Sequence, residues 1–489
     1  MKHIHRPSPE SISLVVLTIV SSLVGLLTGA VAATFRLCLH WAAEFRLWFH
    51  EGMSSKDNLG FVLYLITVVV AVIVAAELVK RIEPAAEGSG IPRVEAIVAG
   101  HMKPGRSRIL PVKFSGGVLA IGSGMMLGRE GPLVQMGGNI AITINKLLHL
   151  DKDDLRVIIG AGAAAGLATA FNAPIAGGVF ILEELVKRFD VRTSLATLSA
   201  SAAGFLTSIV IVGDDTDFRM GQLPTPDLGD IHWTILVGLI CGLMGIAYNW
   251  YVMFCLHVAD RAKLPISVRA GAIALVIGLL GWFHPDLVGG GDNLTQEALF
   301  AHGDLYIALS ILVIRFVLGP ICYAAGTPGG LFAPMLVIGT TTGELIGFIA
   351  EKYDWLGGHP PIHGMAIVGM AAFFTATVRA PVTGLILATE MTGTTTMLPP
   401  MLGACAVAML VASAAHCEPI YDQLARRSEQ RERFQPVFDA VSSLPRAAKR
   451  MSTGITKFTA SGRRVNRTNA PHTGAKNRAQ KLRKEQKED

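Results

Sequence analysis

The 489 residues are 51% hydrophobic and only 16% charged, whereas an ordinary soluble domain carries roughly a quarter charged residues. That balance excludes a soluble scaffold and places most of the chain in a lipid bilayer. The formal net charge of +6 comes largely from beyond about Ser442, where Arg446, Lys449, Arg450, Arg463, Arg464, Lys476, Arg478, Lys481, Arg483 and Lys484 lie, so the apolar body is nearly balanced.

The first apolar run, Ile12 to Thr34, follows Lys2, His3, His5 and Arg6. It exceeds the roughly 7 to 15 residues of a signal core and hydrophobic sequence continues far past it, so it is a retained span rather than a cleaved leader. Gly60 to Leu78, Trp233 to Tyr251 and Leu305 to Cys322 are also near the roughly 20 residues that cross a bilayer. Around Gly122 to Pro132, Phe171 to Leu182, Gly330 to Leu336 and Ala380 to Thr389, glycine or proline breaks shorter runs that alone would be poor spans. Excess Lys and Arg beside spans favours the cytoplasmic side. Both termini are therefore expected there, with an even number of crossings. Cys38, Cys241, Cys255, Cys322, Cys405 and Cys417 stand singly without CxxC spacing; they are expected to be inert thiols, with neither a disulfide framework nor a metal site.

The chain repeats itself. Ala173-Pro174-Ile175-Ala176-Gly177 followed by Glu183 recurs as Ala380-Pro381-Val382-Thr383-Gly384 followed by Glu390 at the same offset. Gly128 to Pro132 with Gly137 recurs as Gly330 to Pro334 with Gly339, and Gly88-Ser89-Gly90 stands to the first as Gly289-Gly290-Gly291 stands to the second. One such pair could be chance among glycine-rich membrane helices; three in one order point to a duplication, the architecture that builds many transporters around a site between their repeats. The expected division is a short cytoplasmic N-terminus at 1–11, repeats at 12–226 and 227–428, and a tail at 429–489 whose basic, aromatic-poor sequence reads as disordered and cytoplasmic.

An anion inside a bilayer needs its hydration replaced without a full positive charge that would hold it too tightly. Helix N-termini supply that, with unpaired N–H groups and a partial positive charge. Glycine allows close backbone approach, and proline early in a helix removes no needed donor. Gly88-Ser89-Gly90-Ile91-Pro92 adds a serine hydroxyl, although it could be an ordinary turn. Gly128-Arg129-Glu130-Gly131-Pro132 puts two charges in an apolar region, where ionisable groups are functional by default. The bland alternative, an Arg129–Glu130 ion pair, is disfavoured because adjacent helix residues do not face each other. Gly330-Leu331-Phe332-Ala333-Pro334 offers only backbone amides and could be a packing helix start.

GSGIP, GREGP and GLFAP in this order resemble the three ion-pathway motifs of the CLC chloride channel and transporter family. The likeness runs from about residue 12 to 428, includes Gly160 to Glu184, and falls in the bacterial chloride/proton exchange branch. It implies an all-α polytopic membrane protein with the CLC fold of two inverted-topology repeats, tilted and partly broken helices, and a homodimer with one pathway per subunit. It further implies that Ser89, the amides of Leu331 and Phe332, and the Tyr421 hydroxyl bind chloride. From sequence alone Tyr421, just past the last apolar run, would pass for an interfacial anchor. By the same resemblance Glu130 is the gate and external proton-transfer group, Glu184 the internal proton-transfer group, and Glu183 an auxiliary; otherwise Glu183 and Glu184 would read as a helix-end pair beside Lys187 and Arg188.

An acid at Glu184 favours antiport over a passive channel, which would share everything else, and Ser89 with Tyr421 favours chloride among anions. No cofactor and no nucleic-acid partner are expected. An enzyme is disfavoured because no HExxH or P-loop lysine is present. The few residues before the first span leave little room for the family's N-terminal helix, and the tail is too short for paired nucleotide-binding domains.

Overall fold

The computed structural model describes residues 12–213, 217–221, 223–262, 264–300, 303–353 and 360–443. Residues 1–11 and 444–489, which include most of the expected basic tail, lie outside them. The chain divides into a unit to Arg426, which carries the apolar body, and a second from Arg427.

The first half of the body contains α1 (Leu14–Ser54), α2 (Asp57–Arg81), α3 (Ile91–Val98), α4 (Ile109–Gly122), α5 (Glu130–Leu148), α6 (Lys152–Phe171), α7 (Pro174–Phe180) and α8 (Val191–Val212). The second half contains α9 (Ile231–Arg261), α10 (Ile266–Phe283), α11 (Asp292–Phe300), α12 (Leu305–Tyr323), α13 (Phe332–Lys352), α14 (Ile362–Val378), α15 (Pro381–Thr392) and α16 (Leu398–Ala414), after which α17 runs Ile420–Ser443. The last helix thus continues past the expected boundary at 428.

Local chemistry sets the helix ends. Ser13, Asp151, Asp190 and Asp304 cap α1, α6, α8 and α12 by accepting from backbone amides of the first turn, satisfying donors that would otherwise be orphaned. The breaks between α6 and α7 and between α14 and α15 are built alike. A left-handed residue, Asn172 or Arg379, ends the first helix, and an Ala-Pro step starts the next. The glycine turns also match, with positive φ at Gly88 and Gly90 in one half and at Gly289 and Gly291 in the other.

Packing repeats too. α5 lies on α6 where a Cβ on Gly137 would stand 2.0 Å from the Gly162 carbonyl oxygen, and α13 lies on α14 where one on Gly369 would stand 2.3 Å from that of Gly339. Backbone contact this close leaves no room for any side chain, which is why Gly137 and Gly339 recur in the sequence. α6 and α13 are 83% buried along their apolar stretch and α10 only 28%. Helices apolar all round yet largely exposed are lipid-facing, so the former two form the inner wall and α10 the belt.

Among the described residues, eight helices are long and apolar enough to cross a membrane. Two differ from the sequence expectation. α1 has 41 residues, about 60 Å at 1.5 Å per residue, so it extends well beyond Thr34. The polar residues from Arg36 onward end the hydropathy run without ending the helix. The run at Gly330 to Leu336 is the start of the 21-residue α13, which is itself long enough to span. Three of the six free thiols, Cys241, Cys322 and Cys405, are buried, while Cys38, Cys255 and Cys417 are half-buried.

Candidate functional site

The three glycine-rich segments meet through their backbones. Gly128 and Gly330 exchange hydrogen bonds in both directions, each 2.8 Å, while the Gly88 amide donates to the Thr327 carbonyl at 3.2 Å and the Gly329 amide to the Gly88 carbonyl at 3.1 Å. This arrangement brings the starts of α3, α5 and α13 together. Two buried cations brace it. Lys113 of α4, fully buried, donates to the carbonyls of Ala86 (3.1 Å) and Gly88 (2.6 Å). Arg315 of α12 donates to the carbonyl of Gly289 at 2.7 Å, the corresponding glycine of the second half.

Glu130 is fully buried. One of its oxygens accepts from the amide of Ala333 at 3.3 Å, so a carboxylate from the first half sits at the N-terminus of a helix from the second. Leu331 and Phe332 immediately precede that amide, and helix-start amides have no intrahelical acceptor. The other Glu130 oxygen, the Ser89 hydroxyl and the Tyr421 hydroxyl are buried without a protein hydrogen-bond partner. Polar atoms left so are uncommon in folded proteins, and three around one set of helix starts suit a small anion as substrate. The Tyr421 ring lies 6.2 Å edge-on from Phe180, and Phe180 lies 5.7 Å from Phe332, which ties Tyr421 to the same place.

Residues 69–413 match the family described as voltage gated chloride channel. The H(+)/Cl(-) exchange transporter ClcA of Vibrio cholerae serotype O1 (strain M66-2) is 37% identical over 427 residues, covering 85% of this chain and 90% of the relative. The ClcA of Vibrio parahaemolyticus is 36% identical over 431 residues, covering 85% and 91%. The chain belongs to the CLC family. Among solved structures, that of a slow cyanobacterial Cl-/H+ antiporter superposes with a TM-score of 0.81 at 30% identity over 85% of this chain and 99% of the other. A CLC-type fluoride/proton antiporter shares the fold, with a TM-score of 0.71 at 24% identity over 83% and 97%. The architecture is the CLC fold of two inverted-topology repeats.

Within this CLC chain the residues singled out from the sequence occupy two places. Ser89, Glu130, Leu331, Phe332 and Tyr421 lie around the helix starts just described. Tyr421 is fully buried and therefore not an interfacial anchor. Arg129 does not pair with Glu130: its guanidinium bonds Asp217 and Asp292 at 3.1 Å each and the Ala170 carbonyl at 3.2 Å.

Glu183 and Glu184 lie elsewhere, in a π-helical stretch, Ile181–Leu185, where the Val186 amide donates five residues back to Ile181. Such wide turns recur at functional sites. Here the two carboxylates part company. Glu184 is buried, with one oxygen lacking a protein partner. Glu183 instead accepts from the amides of Val382 (3.1 Å) and Thr383 (2.7 Å) and from the Thr383 hydroxyl (2.7 Å) at the start of α15. Glu390 returns the favour, accepting from the amides of Ile175 (3.1 Å) and Ala176 (2.7 Å) at the start of α7. One turn beyond Glu184, Lys187 bridges Glu95 (3.1 Å) and Asp422 (2.6 Å).

Sequence reasoning missed Lys113, Arg315 and Phe180. The first two carried a usable signal, since each is a lone cation inside an apolar run. It paired Glu183 with Glu390 by offset but not their reciprocal capping, because the partners of each lie about two hundred residues away.

Proposed function

We propose that this chain is a secondary active antiporter exchanging chloride for protons across a bacterial inner membrane. The carrying observation is the Glu130 carboxylate at the amide of Ala333. An anionic side chain occupies the helix start that would otherwise receive an anion, so carboxylate and chloride compete for the amides of Leu331, Phe332 and Ala333. An ionised Glu130 is favoured by those donors and disfavoured by desolvation. When it takes a proton it leaves the helix start to chloride.

In this reading Ser89 and Tyr421 donate their hydroxyls to chloride, which neutral donors hold strongly enough to select and weakly enough to release. Glu130 exchanges protons with the outside. Glu184, a buried carboxylate behind the Lys187–Glu95–Asp422 cluster, exchanges them with the cytoplasm. Glu183 stays bound to α15 and serves as a structural neighbour rather than a carrier. The start of α1 and the start of α17 share the cytoplasmic face. Supporting this, Arg192 near the start of α8 bonds the Ile12 carbonyl at 3.0 Å, and Asp422 bonds Lys187, a few residues before α8. The repeats are placed at 12–226 and 227–428, the assembly is a homodimer with one pathway per subunit, and the reading invokes transport, not enzymatic turnover, and no cofactor.

A passive chloride channel is the second reading, and the buried acid at Glu184 favours antiport over it. In liposomes holding the purified protein, a chloride gradient should drive protons uphill. Glu130→Ala and Glu184→Gln should each abolish proton movement while chloride flux persists. Chloride flux without proton movement in the wild type would make the chain a channel, and no anion flux would end the transport reading.

A further inference from the structure

A cavity of about 310 Å³ is lined by Arg36, well along α1 from its start, by Arg129, the residue before Glu130, and by Asp217, Phe218 and Asp292 among others. Asp217 belongs to the segment joining α8 to α9, and its side chain is only 7% exposed. Each of its oxygens takes a different arginine: Oδ1 accepts from Arg36 at 3.0 Å and Oδ2 from Arg129 at 3.1 Å. Both arginines are also fixed to the end of α6, Arg36 on the Thr169 carbonyl at 2.8 Å and Arg129 on that of Ala170 at 3.2 Å. Among the described residues their other counter-ion, Asp292, is 47% exposed, so solvent screens it. Asp217 is the buried half of the balance.

We propose that Asp217 controls anion access to the pathway from this side, as a tethered carboxylate that occupies two guanidiniums which would otherwise draw free anions into the cavity before Glu130. Among the described residues that line it, two arginines face two aspartates. Arg129 directly precedes Glu130, so any charge left uncompensated there lies at the entrance to the helix start where chloride binds. Clefts carrying one sign of charge concentrate the opposite ion. Asp217 therefore sets how strongly this mouth gathers its substrate. It is a positioning residue that need not touch the transported ion. The two residues that follow it are tied down without the arginines. The Phe218 amide donates to the Met391 carbonyl at 3.0 Å. Arg219 and Gln296 exchange two hydrogen bonds of 2.8 Å each. Neutralising Asp217 thus changes charge more than shape.

The inference rests on the transport reading above, and the test separates the two. In vesicles with the protein inserted in one orientation, the KM for chloride is measured from the Asp217 side and from the opposite side. Asp217→Asn, which removes one negative charge from the mouth, should lower the KM from its own side roughly threefold at low ionic strength, an effect that fades as inert salt shortens the Debye length. Arg36→Gln should raise that KM by a similar factor. The double substitution, which restores the wild-type charge, should return it to near the wild-type value, and Asp217→Glu should leave it unchanged. The opposite-side KM should stay put in all four, which a general loss of fold would not allow.

A wild type that moves no chloride fails the transport reading itself. A transporting wild type whose own-side KM is unmoved by Asp217→Asn and by Arg36→Gln overturns this inference alone. So does a shift that survives high salt or persists in the double variant. Should Asp217→Asn not fold, the opposite shift in Arg36→Gln still decides.

Discussion

The starts of α5 and α13 share a backbone and differ in every side chain between the outer Gly and Pro. Gly128 and Gly330 bond each other as equals, yet one half continues Arg129-Glu130-Gly131 where the other has Leu331-Phe332-Ala333. Duplication supplies two equivalent helix starts, each a ready anion site. Divergence then gives one of them a carboxylate and leaves the other bare, so that the first can fill the second. Competition between a tethered and a free anion needs that asymmetry, and two identical repeats could not produce it.

The largest effect expected from breaking the comparison is at Gly131. A Cβ there would stand 2.2 Å from the Ser89 hydroxyl and 2.7 Å from the Ser89 carbonyl oxygen, whereas the corresponding residue of the other repeat, Ala333, already carries one. Gly131→Ala should therefore displace Ser89, cost on the order of 1–3 kcal/mol by overpacking and reduce chloride flux at least tenfold. Ala333→Gly should cost less than about 1 kcal/mol and keep most of the flux. Thermal stability in detergent and flux in liposomes measure both. Equal behaviour of the two variants would mean that the helix starts are interchangeable after all.

The buried braces come next. Lys113→Met would leave the Ala86 carbonyl without its donor, while the Gly88 carbonyl keeps the Gly329 amide, and one unpaired buried acceptor costs about 1–3 kcal/mol. Arg315→Met should cost less, since Arg315 bonds one carbonyl while its Nε and one Nη have no protein partner. A charge that is only partly satisfied contributes little net stability when buried. Lys113→Met should also slow transport, because Gly88 adjoins Ser89. Should the two variants melt alike, the braces are equivalent and the comparison loses this distinction.

How far a feature reaches along the chain decides whether the sequence displays it. Ser89, Glu130, Leu331 and Phe332 sit in motifs of five residues whose glycines and prolines announce a helix start locally, so the sequence alone marks them as candidates and the family resemblance supplies their roles. Tyr421 has no such local mark. A tyrosine after the last apolar run looks interfacial, and only the return of α17 beneath Phe180 buries it. Asp217 is hidden as well, lying in a connecting segment without periodicity, with both partners on distant helices. Hydropathy understates the length of α1 because it falls at Arg36 while helical geometry continues, the arginine being accommodated by Asp217 and the Thr169 carbonyl rather than by lipid.

The smallest effect tests the place where the repeats remain alike. Glu183 caps α15 and Glu390 caps α7, each repeat's carboxylate serving the other's helix. A carboxylate at a helix N-terminus contributes about 0.3–1 kcal/mol, more where partly buried. Glu183→Gln should cost somewhat more than Glu390→Gln, since Glu183 also loses charge opposite the Thr383 hydroxyl. Because both clamps join the same two helices, the double variant should depart from additivity by more than the few tenths of a kcal/mol seen for independent sites. Additive losses in a double-mutant cycle would show that α7 and α15 are held elsewhere. Unchanged proton coupling in Glu183→Gln, beside its loss in Glu184→Gln, would separate the structural glutamate from its neighbour, one residue along the same π-helical turn.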